Sequence, residues 1–439
     1  MLDYKDLRVA EAQADYGSFK DSVRAPIHRW FMYPAGFSYR LVESKIEEYS
    51  LGARSTILDP FVGCGTTSLT AKEKGVNSIG IEAHPFVHWV TSTKLFWDYD
   101  YDALREAIAD SHKRSAAADL DALSARIDAG EFPDLVVKCF SNDNLPKLLA
   151  IRESIAELRG VPEIRDFLNL ALTSTLRIVA SAGTGWPYIA PSKYHSKTVK
   201  RDAFTEFKKQ VQSMYEDLIY VRSTSPSIKT THTLILGDAR QPFPGVKQEF
   251  VDLVVTSPPY LNNYDYADRT RLELYFFGWA SSWSDITEQV RDKLMMAATT
   301  QVTRTSDRQT SLSDEIREAS PRVYERLSTV IRELSQVRLT KGGKKNYDIM
   351  VAGYFNDIFQ VLQQVYRVLK QGSDFILVLG DSAPYGVYIP TDFVIAELAL
   401  CCGFKAYQVE MLRRRGDKWS ANTQRHKVAL RESIVTIGK

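Results

Sequence analysis

Cysteine is scarce in this sequence. Its four thiols, Cys64, Cys139, Cys401 and Cys402 in a chain of 439 residues, show neither the paired spacing of a zinc site nor a disulfide framework. No metal is expected, and a reducing cytoplasm is the expected location. Runs apolar enough to span a bilayer are also missing. The opening Met1-Leu2-Asp3-Tyr4-Lys5 is charged where a secretory signal would be apolar, so neither membrane insertion nor export is expected. Charge of one sign does not dominate: 56 Lys and Arg face 54 Asp and Glu. Bulk charge therefore neither demands nor excludes a polyanionic partner, and any surface for one has to come from local clustering. Internal repeats and long low-complexity tracts are absent as well.

What is present is an alternation of short apolar runs with longer helical stretches, the pattern of an α/β fold. Ser55 to Asp59 reads as a strand, Thr66 to Lys74 as a helix stopped by Gly75, and Asn77 to Glu82 as the next strand. Further strands are predicted over Thr233 to Asp238, Val251 to Thr256 and Asp374 to Leu379, the last after a helix from about Phe355 to Lys370. Two stretches of helical period interrupt this pattern. The chain accordingly divides into 1–100 with a glycine-rich turn, 101–230 as a helical insertion, 231–281, 282–345 as a second helical insertion, and 346–439 with a basic tail.

Asp59-Pro60-Phe61-Val62-Gly63-Cys64-Gly65-Thr66 lies between a predicted strand and a helix. Glycines there let the backbone turn tightly and approach a ligand. Glu82 ends the following strand, where an acid in a doubly wound fold accepts from ribose hydroxyls. A dinucleotide site would want a third glycine, but position 68 is Ser68, and no Gly-Lys-Ser/Thr phosphate loop exists. The pocket therefore suits a nucleoside without phosphates. Asp238 ends the third strand, where a carboxylate can accept from an adenine amino group or serve as a turn or capping acid.

Thr256-Ser257-Pro258-Pro259-Tyr260 follows a buried-looking strand. Two consecutive prolines fix the backbone and remove two donors, leaving carbonyl oxygens as outward acceptors. Ser257 and the Pro258 carbonyl can hold both hydrogens of an aromatic amine, whose lone pair is otherwise delocalised into its ring. The same acceptors would serve an amide. Tyr260 is placed to stack on a planar group.

Together these residues resemble the amino-methyltransferases of DNA, the N4-cytosine and N6-adenine enzymes. Asp59 to Thr66 is similar to the family's cofactor motif and Thr256 to Tyr260 to its catalytic motif. His28-Arg29-Trp30-Phe31-Met32-Tyr33-Pro34-Ala35-Gly36-Phe37-Ser38 resembles the segment preceding the cofactor motif. The resemblance covers roughly residues 24–100, 230–281 and 346–439. It implies a doubly wound, Rossmann-like α/β sheet carrying two mainly helical insertions, with S-adenosylmethionine as methyl donor. It implies that Phe37, Ser38, Asp59, Pro60, Phe61, Gly63, Gly65 and Thr66 bind the cofactor, Glu82 its ribose and Asp238 its adenine. Ser257, Pro258, Pro259 and Tyr260 would act on a base flipped from double-stranded DNA. Members with Ser at the start of the catalytic motif lean towards cytosine N4, and those with Asp or Asn towards adenine N6. Ser257 thus favours N4, although some adenine enzymes also carry Ser. RNA and protein glutamine remain as other amine or amide substrates. No cysteine follows a proline, which excludes the C5-cytosine class and its Pro-Cys nucleophile. A short recognition site, a cognate restriction endonuclease and host-DNA protection follow from the resemblance alone. The cofactor motif precedes the catalytic one here, unlike many serine-type members, which leaves the target-reading segment open; the 101–230 insertion is the leading candidate.

Two basic segments are candidates for DNA contact. Trp186, Tyr188 and Lys193 lie in a rigid aromatic loop, and Arg413, Arg414, Arg415, Lys418, Trp419 and Arg425 form the densest basic cluster. Aromatic residues between cations favour a nucleic-acid face over a merely solvated charge run.

Overall fold

Aliphatic and β-branched runs form the strands, and their alternation decides which face each side chain takes. The computed structural model describes residues 10–11, 16, 21–33, 36–183, 190–194, 201–225, 229–302, 311–341, 345–415 and 428–439, with 10–11, 183 and 190–194 as backbone only. In chain order the elements begin with β1 (Ala10–Glu11), α1 (Tyr39–Glu48), β2 (Thr56–Asp59), α2 (Thr66–Glu73), β3 (Asn77–Glu82) and α3 (Pro85–Leu95). The first insertion contributes α4 (Tyr101–Ala117), α5 (Leu120–Asp128), α6 (Asp134–Cys139), α7 (Asn144–Ala156), α8 (Pro162–Val179), the ribbon β4 (Ala182–Gly183) and β5 (Ala190–Tyr194), and α9 (Ala203–Thr224). Then follow β6 (His232–Leu236), β7 (Leu253–Thr256), α10 (Tyr266–Arg269) and α11 (Arg271–Phe276). The second insertion holds α12 (Trp283–Ile286), α13 (Asp314–Ala319) and α14 (Pro321–Thr340), and the chain closes with α15 (Tyr347–Val368), β8 (Asp374–Gly380), α16 (Thr391–Cys401), β9 (Ala406–Arg415) and β10 (Leu430–Gly438).

Eight strands make one sheet in the order β1-β9-β10-β8-β7-β2-β3-β6. The run from β8 to β6 is parallel, and β10 is antiparallel to both β8 and β9. From β2 the chain winds outward through β3 to β6, then returns to lay β7 and β8 on the other side of β2. The order therefore reverses between β2 and β7, and a cleft opens there at the carboxyl ends of the strands. Both central strands are buried along their whole length. On one face Ile57, Leu253, Val255, Ile376 and Val378 pack under Leu41, Val42 and Ile46 of α1. On the other, Leu58, Val254, Phe375, Leu377 and Leu379 pack under Met350, Tyr354, Ile358 and Val365 of α15. Period-two alternation in the strands thus separates the two layers of helices.

The first insertion is fused to this body. Phe86, Val87 and Val90 of α3 share one apolar core with Leu148 and Ile151 of α7, Phe167 and Leu168 of α8, and Phe207 and Leu218 of α9. A buried carboxylate reinforces the junction: Asp217 of α9 accepts from the Ile27 amide at 3.0 Å, Trp30 Nε1 at 3.0 Å and Arg29 Nε at 3.0 Å.

The expected strands and the 66–74 helix appear within a few residues of their predicted bounds. The helix expected from about 355 begins earlier, at Tyr347, because apolar residues continue at helical spacing through Met350 and Val351. Arg413 to Arg415 are not part of a tail: they end β9, a long strand paired with β10 on one side and, at Glu410 and Met411, with β1 on the other. No helix among the described residues is long and apolar enough to cross a membrane, and none of their His, Cys, Asp and Glu side chains cluster as a metal site would need.

Candidate active site

The cleft at the strand reversal contains about 890 Å³ of empty space, part of it open to solvent. Its floor is the 60–64 turn and Thr66. One side is formed by Glu82 and Asp238, the other by Ser257 and Pro259. Tyr33, Gly36, Phe37 and Tyr266 also line it, as do Lys293, Leu294 and Met295 from the second insertion.

The turn holds its shape through glycine and one buried lysine. Gly63 has φ 52° and Gly65 φ 91°, and a Cβ on Gly65 would fall 2.9 Å from Thr91 Cγ2. A side chain at Gly65 is thus excluded both by the backbone and by space. Lys94, fully buried, donates from Nζ to the Cys64 carbonyl at 2.9 Å and the His28 carbonyl at 3.2 Å. It ties the turn to the segment that precedes it, and burial lowers its pKa.

Asp59 acts beneath the cleft and does not line it. Its carboxylate accepts from Thr67 Oγ1 at 2.7 Å, Thr256 Oγ1 at 2.5 Å and the Phe61 amide at 3.0 Å. One side chain therefore fixes the end of β2, the start of α2 and the last residue of β7 together. Burial pushes its carboxyl up to about 6 against those three donors. Glu82 receives the Gly63 amide at 3.0 Å and the His84 amide at 2.8 Å, one on each oxygen. Burial raises it to about 7, and free lone pairs remain on both oxygens. Asp238 lines the cleft, but Arg240 already engages both its oxygens, with Nε at 2.9 Å and Nη2 at 2.7 Å, and reaches Asp357 at 3.0 Å.

In the catalytic loop, Ser257 Oγ is buried and makes no hydrogen bond of good geometry, although it lies near enough to the Tyr260 phenol to act on it. No backbone donor among the described residues reaches the carbonyls of Ser257, Pro258 or Pro259. A buried hydroxyl without a sound hydrogen bond is costly unless a ligand completes it. Tyr260 differs from its expected placement. It is 6% exposed, is not on the cleft wall, and donates from Oη to Glu432 Oε1 at 2.7 Å. The Arg415 guanidinium lies over its ring at 5.3 Å, and Glu432 also accepts from Arg413. Gly380 makes room for that stack: a Cβ there would lie 1.9 Å from Arg415 Nη1.

Of the residues predicted to bind a cofactor, the structure brings Phe37, Pro60, Phe61, Gly63, Thr66, Glu82 and Asp238 to the cleft wall, together with Ser257 and Pro259 of the loop. It leaves Asp59, Gly65, Ser38, Pro258 and Tyr260 off that wall. Ser38 caps α1, accepting from the Arg40 amide at 3.3 Å. Sequence reasoning missed Tyr33, Arg240, Tyr266 and the Lys293–Met295 wall. Tyr33 stood inside a motif already singled out, whereas the 293–295 wall has no local signature. Arg414 is exposed on β9. Trp186, Tyr188, Lys418, Trp419 and Arg425 lie outside the described residues, as does the side chain of Lys193.

A family model for N6/N4 methyltransferases, described as DNA methylase, matches residues 11–114. The Type II methyltransferase M.BsoBI of Geobacillus stearothermophilus is 29% identical over 446 aligned residues, covering 95% of this chain and 86% of that protein. The Type II methyltransferase M.AvaI of Nostoc is 25% identical across 90% of this chain and 82% of its own. The Type II methyltransferase M.MvaI of Kocuria varians is 21% identical across 94% and 88%.

Proposed function

We propose that the chain is a DNA amino-methyltransferase, like the Type II methyltransferases it resembles, and that it methylates N4 of a cytosine flipped out of a specific double-stranded DNA site. The observation that carries this reading is the buried Ser257 hydroxyl, without a hydrogen bond of good geometry, beside carbonyls that no backbone donor among the described residues reaches, in the same cleft lining as Glu82. The hydroxyl oxygen and the loop carbonyls can all accept, which is what an exocyclic amine with two hydrogens requires.

The family implies S-adenosylmethionine as cofactor, and the residues fit it. The close-approach glycines suit a nucleoside, Glu82 keeps lone pairs for ribose hydroxyls, and no phosphate loop is present. When bound, S-adenosylmethionine supplies a methyl group on a positively charged sulfur. This chain's part is positional. Ser257 Oγ on the cleft wall, and the Pro258 carbonyl next to it in the chain though off that wall, are the acceptors we assign to the two amine hydrogens; they favour a pyramidal nitrogen whose lone pair is free to attack. Asp59 sets the distance between the loop and the floor of the cleft through Thr256. Such prearranged acceptors lower the barrier through orientation and aligned dipoles. The nitrogen becomes more acidic as it gains the methyl carbon, so its surplus proton is lost to water without a strong base. A restriction endonuclease reading the same site is the proposed biological partner.

Incubating the protein with labelled cofactor and duplex DNA, then identifying modified nucleosides by mass spectrometry, tests this directly. N4-methylcytosine is expected. N6-methyladenine would overturn the choice of base, and label confined to RNA would overturn DNA as substrate. Ser257→Ala should lower turnover about 100-fold while cofactor affinity, measured by calorimetry, stays unchanged.

A further inference from the structure

Two parts of the cleft lining come from segments far apart in the chain, and one side chain joins them. Arg240 lines the cleft beside Asp238, and Lys293, Leu294 and Met295 line it from the second insertion. Arg240 lies between two carboxylates. On the Asp238 side its Nε donates to both oxygens at 2.9 Å and its Nη2 to Oδ2 at 2.7 Å. On the other side its Nη1 stands 3.0 Å from Asp357 Oδ2 of α15. That same oxygen accepts from the Met296 amide at 2.6 Å, and Arg240 Nη2 also reaches the Lys293 carbonyl at 3.4 Å. A planar guanidinium can hold two carboxylates at once in fixed directions, where an ammonium is a point charge.

From Met296 the chain is braced as a unit and reaches the catalytic loop. Gln301 accepts from the Ala297 amide at 2.8 Å and the Ala298 amide at 2.9 Å, and donates to the Met295 carbonyl at 2.9 Å. Met296 packs on Gly353 of α15, where a Cβ would lie 3.1 Å from its Cγ. The Ala297 carbonyl accepts from the Asn262 amide at 2.9 Å, just past Tyr260. A path of direct contacts therefore runs through Asp238, Arg240, Asp357, Met296, Ala297 and Asn262, from one side of the cleft to the loop on the other. None of the last four lines the cleft.

We propose that Arg240 is a positioning residue that couples ligand binding at Asp238 to the setting of the catalytic loop, by way of the second insertion. The inference rests on the cofactor reading above and gives the insertion a part in it. A ligand that engages Asp238 fixes its carboxylate. Arg240 is then confined to the one arrangement in which it meets both acids, and Asp357 holds Met296 and the braced turn in register with Asn262. Such coupling is reciprocal: what binds Asp238 orders the turn, and what orders the turn strengthens binding at Asp238. A salt bridge serving the fold alone would leave ligand and turn independent.

The test is calorimetry of S-adenosylhomocysteine, hydrogen exchange at residues 262 and 296–298 with and without that ligand, and thermal melts. The proteins are wild type, Arg240→Gln, Arg240→Lys, Asp357→Ala and the combined Arg240→Gln, Asp357→Ala variant. In wild type the ligand should slow exchange at these residues, although none lines the cleft. Asp357→Ala should weaken the ligand about 5- to 150-fold, the span of coupling between linked sites, and abolish its effect on exchange. Arg240→Gln should do the same, and Arg240→Lys should recover part of the loss. The combined variant should bind no more weakly than Arg240→Gln alone, because both changes cut one path. If Arg240→Gln does not fold, Arg240→Lys with and without Asp357→Ala makes the same comparison, and the losses should again fall short of additive. Unchanged affinity in Asp357→Ala, additive losses in the combined variant, or exchange in wild type that ignores the ligand would each overturn the inference. Lower melting temperatures with affinity intact would make Arg240 a salt bridge of the fold and overturn it as well. If wild type itself gives no binding signal, the cofactor reading fails and this inference with it, an outcome distinct from weakening confined to the variants.

Discussion

Glu82 shows how a single side chain can couple the site to pH. Burial outweighs its two backbone donors and holds its carboxyl at about 7 instead of 4.5. An acid raised in this way favours the folded state most when protonated. Its contribution is fully present below about 4.5 and declines as pH rises through about 7. A ligand whose hydroxyls donate to the carboxylate acts in the other direction, because it prefers the ionised form. Affinity for S-adenosylhomocysteine should therefore fall as pH drops below about 7, and binding should release protons between about pH 6 and about pH 7. Calorimetry in buffers of different ionisation heat measures both effects. Glu82→Gln should bind more weakly with a flat pH profile, and a pH dependence that survives the substitution would remove Glu82 from the ribose. At this scale much of the site was legible, since Gly63, Glu82, Asp238 and Ser257 carry chemistry in their own local pattern. Lys293 to Met295 do not. They reach the cleft only through the path of the second insertion, which no short motif encodes.

At the level of elements, α9 clamps the segment before α1. Asp217→Ala would leave the Ile27 amide and Trp30 Nε1 buried without an acceptor and would release Arg29. The loss should be about 3 kcal/mol, read as a lower midpoint in urea unfolding, with Asp217→Asn less affected. Wild-type stability in Asp217→Ala would show that the clamp contributes nothing. Strand and helix positions were readable where apolar period and glycine stops agreed, as at Thr66–Glu73 and Asn77–Glu82. The β9–β10 pair was hidden for a physical reason. The three arginines that end β9 read from sequence as a basic tail facing nucleic acid, and the partners of two of them, Glu432 for Arg413 and Tyr260 for Arg415, are brought to them only by the sheet. The β-branched run Ile434-Val435-Thr436-Ile437 was the available signal for β10.

For the whole molecule, near-neutral net charge means that DNA affinity depends on where a few cations stand. The structure separates the arginine cluster by role. Arg413 is held by Glu432, Arg415 covers Tyr260 and donates to the Asp381 carbonyl at 3.2 Å, and Arg414 is exposed on β9. Arg414→Glu should weaken duplex binding and reduce the slope of log affinity against log salt by about 1 to 2, as expected for losing one phosphate contact and adding repulsion. Filter-binding or anisotropy titrations across a salt series measure it, and an unchanged slope would remove this strand end from the interface.

The junction at Asp217 also bears on inheritance. A helical body that shares its apolar core with α3 and lends a carboxylate to the 27–30 turn cannot be exchanged wholesale by recombination, because a foreign segment would arrive without the matching interior. Replacing the 101–230 segment alone would therefore uncover the apolar face of α3 and leave the Ile27 amide and Trp30 Nε1 without their acceptor.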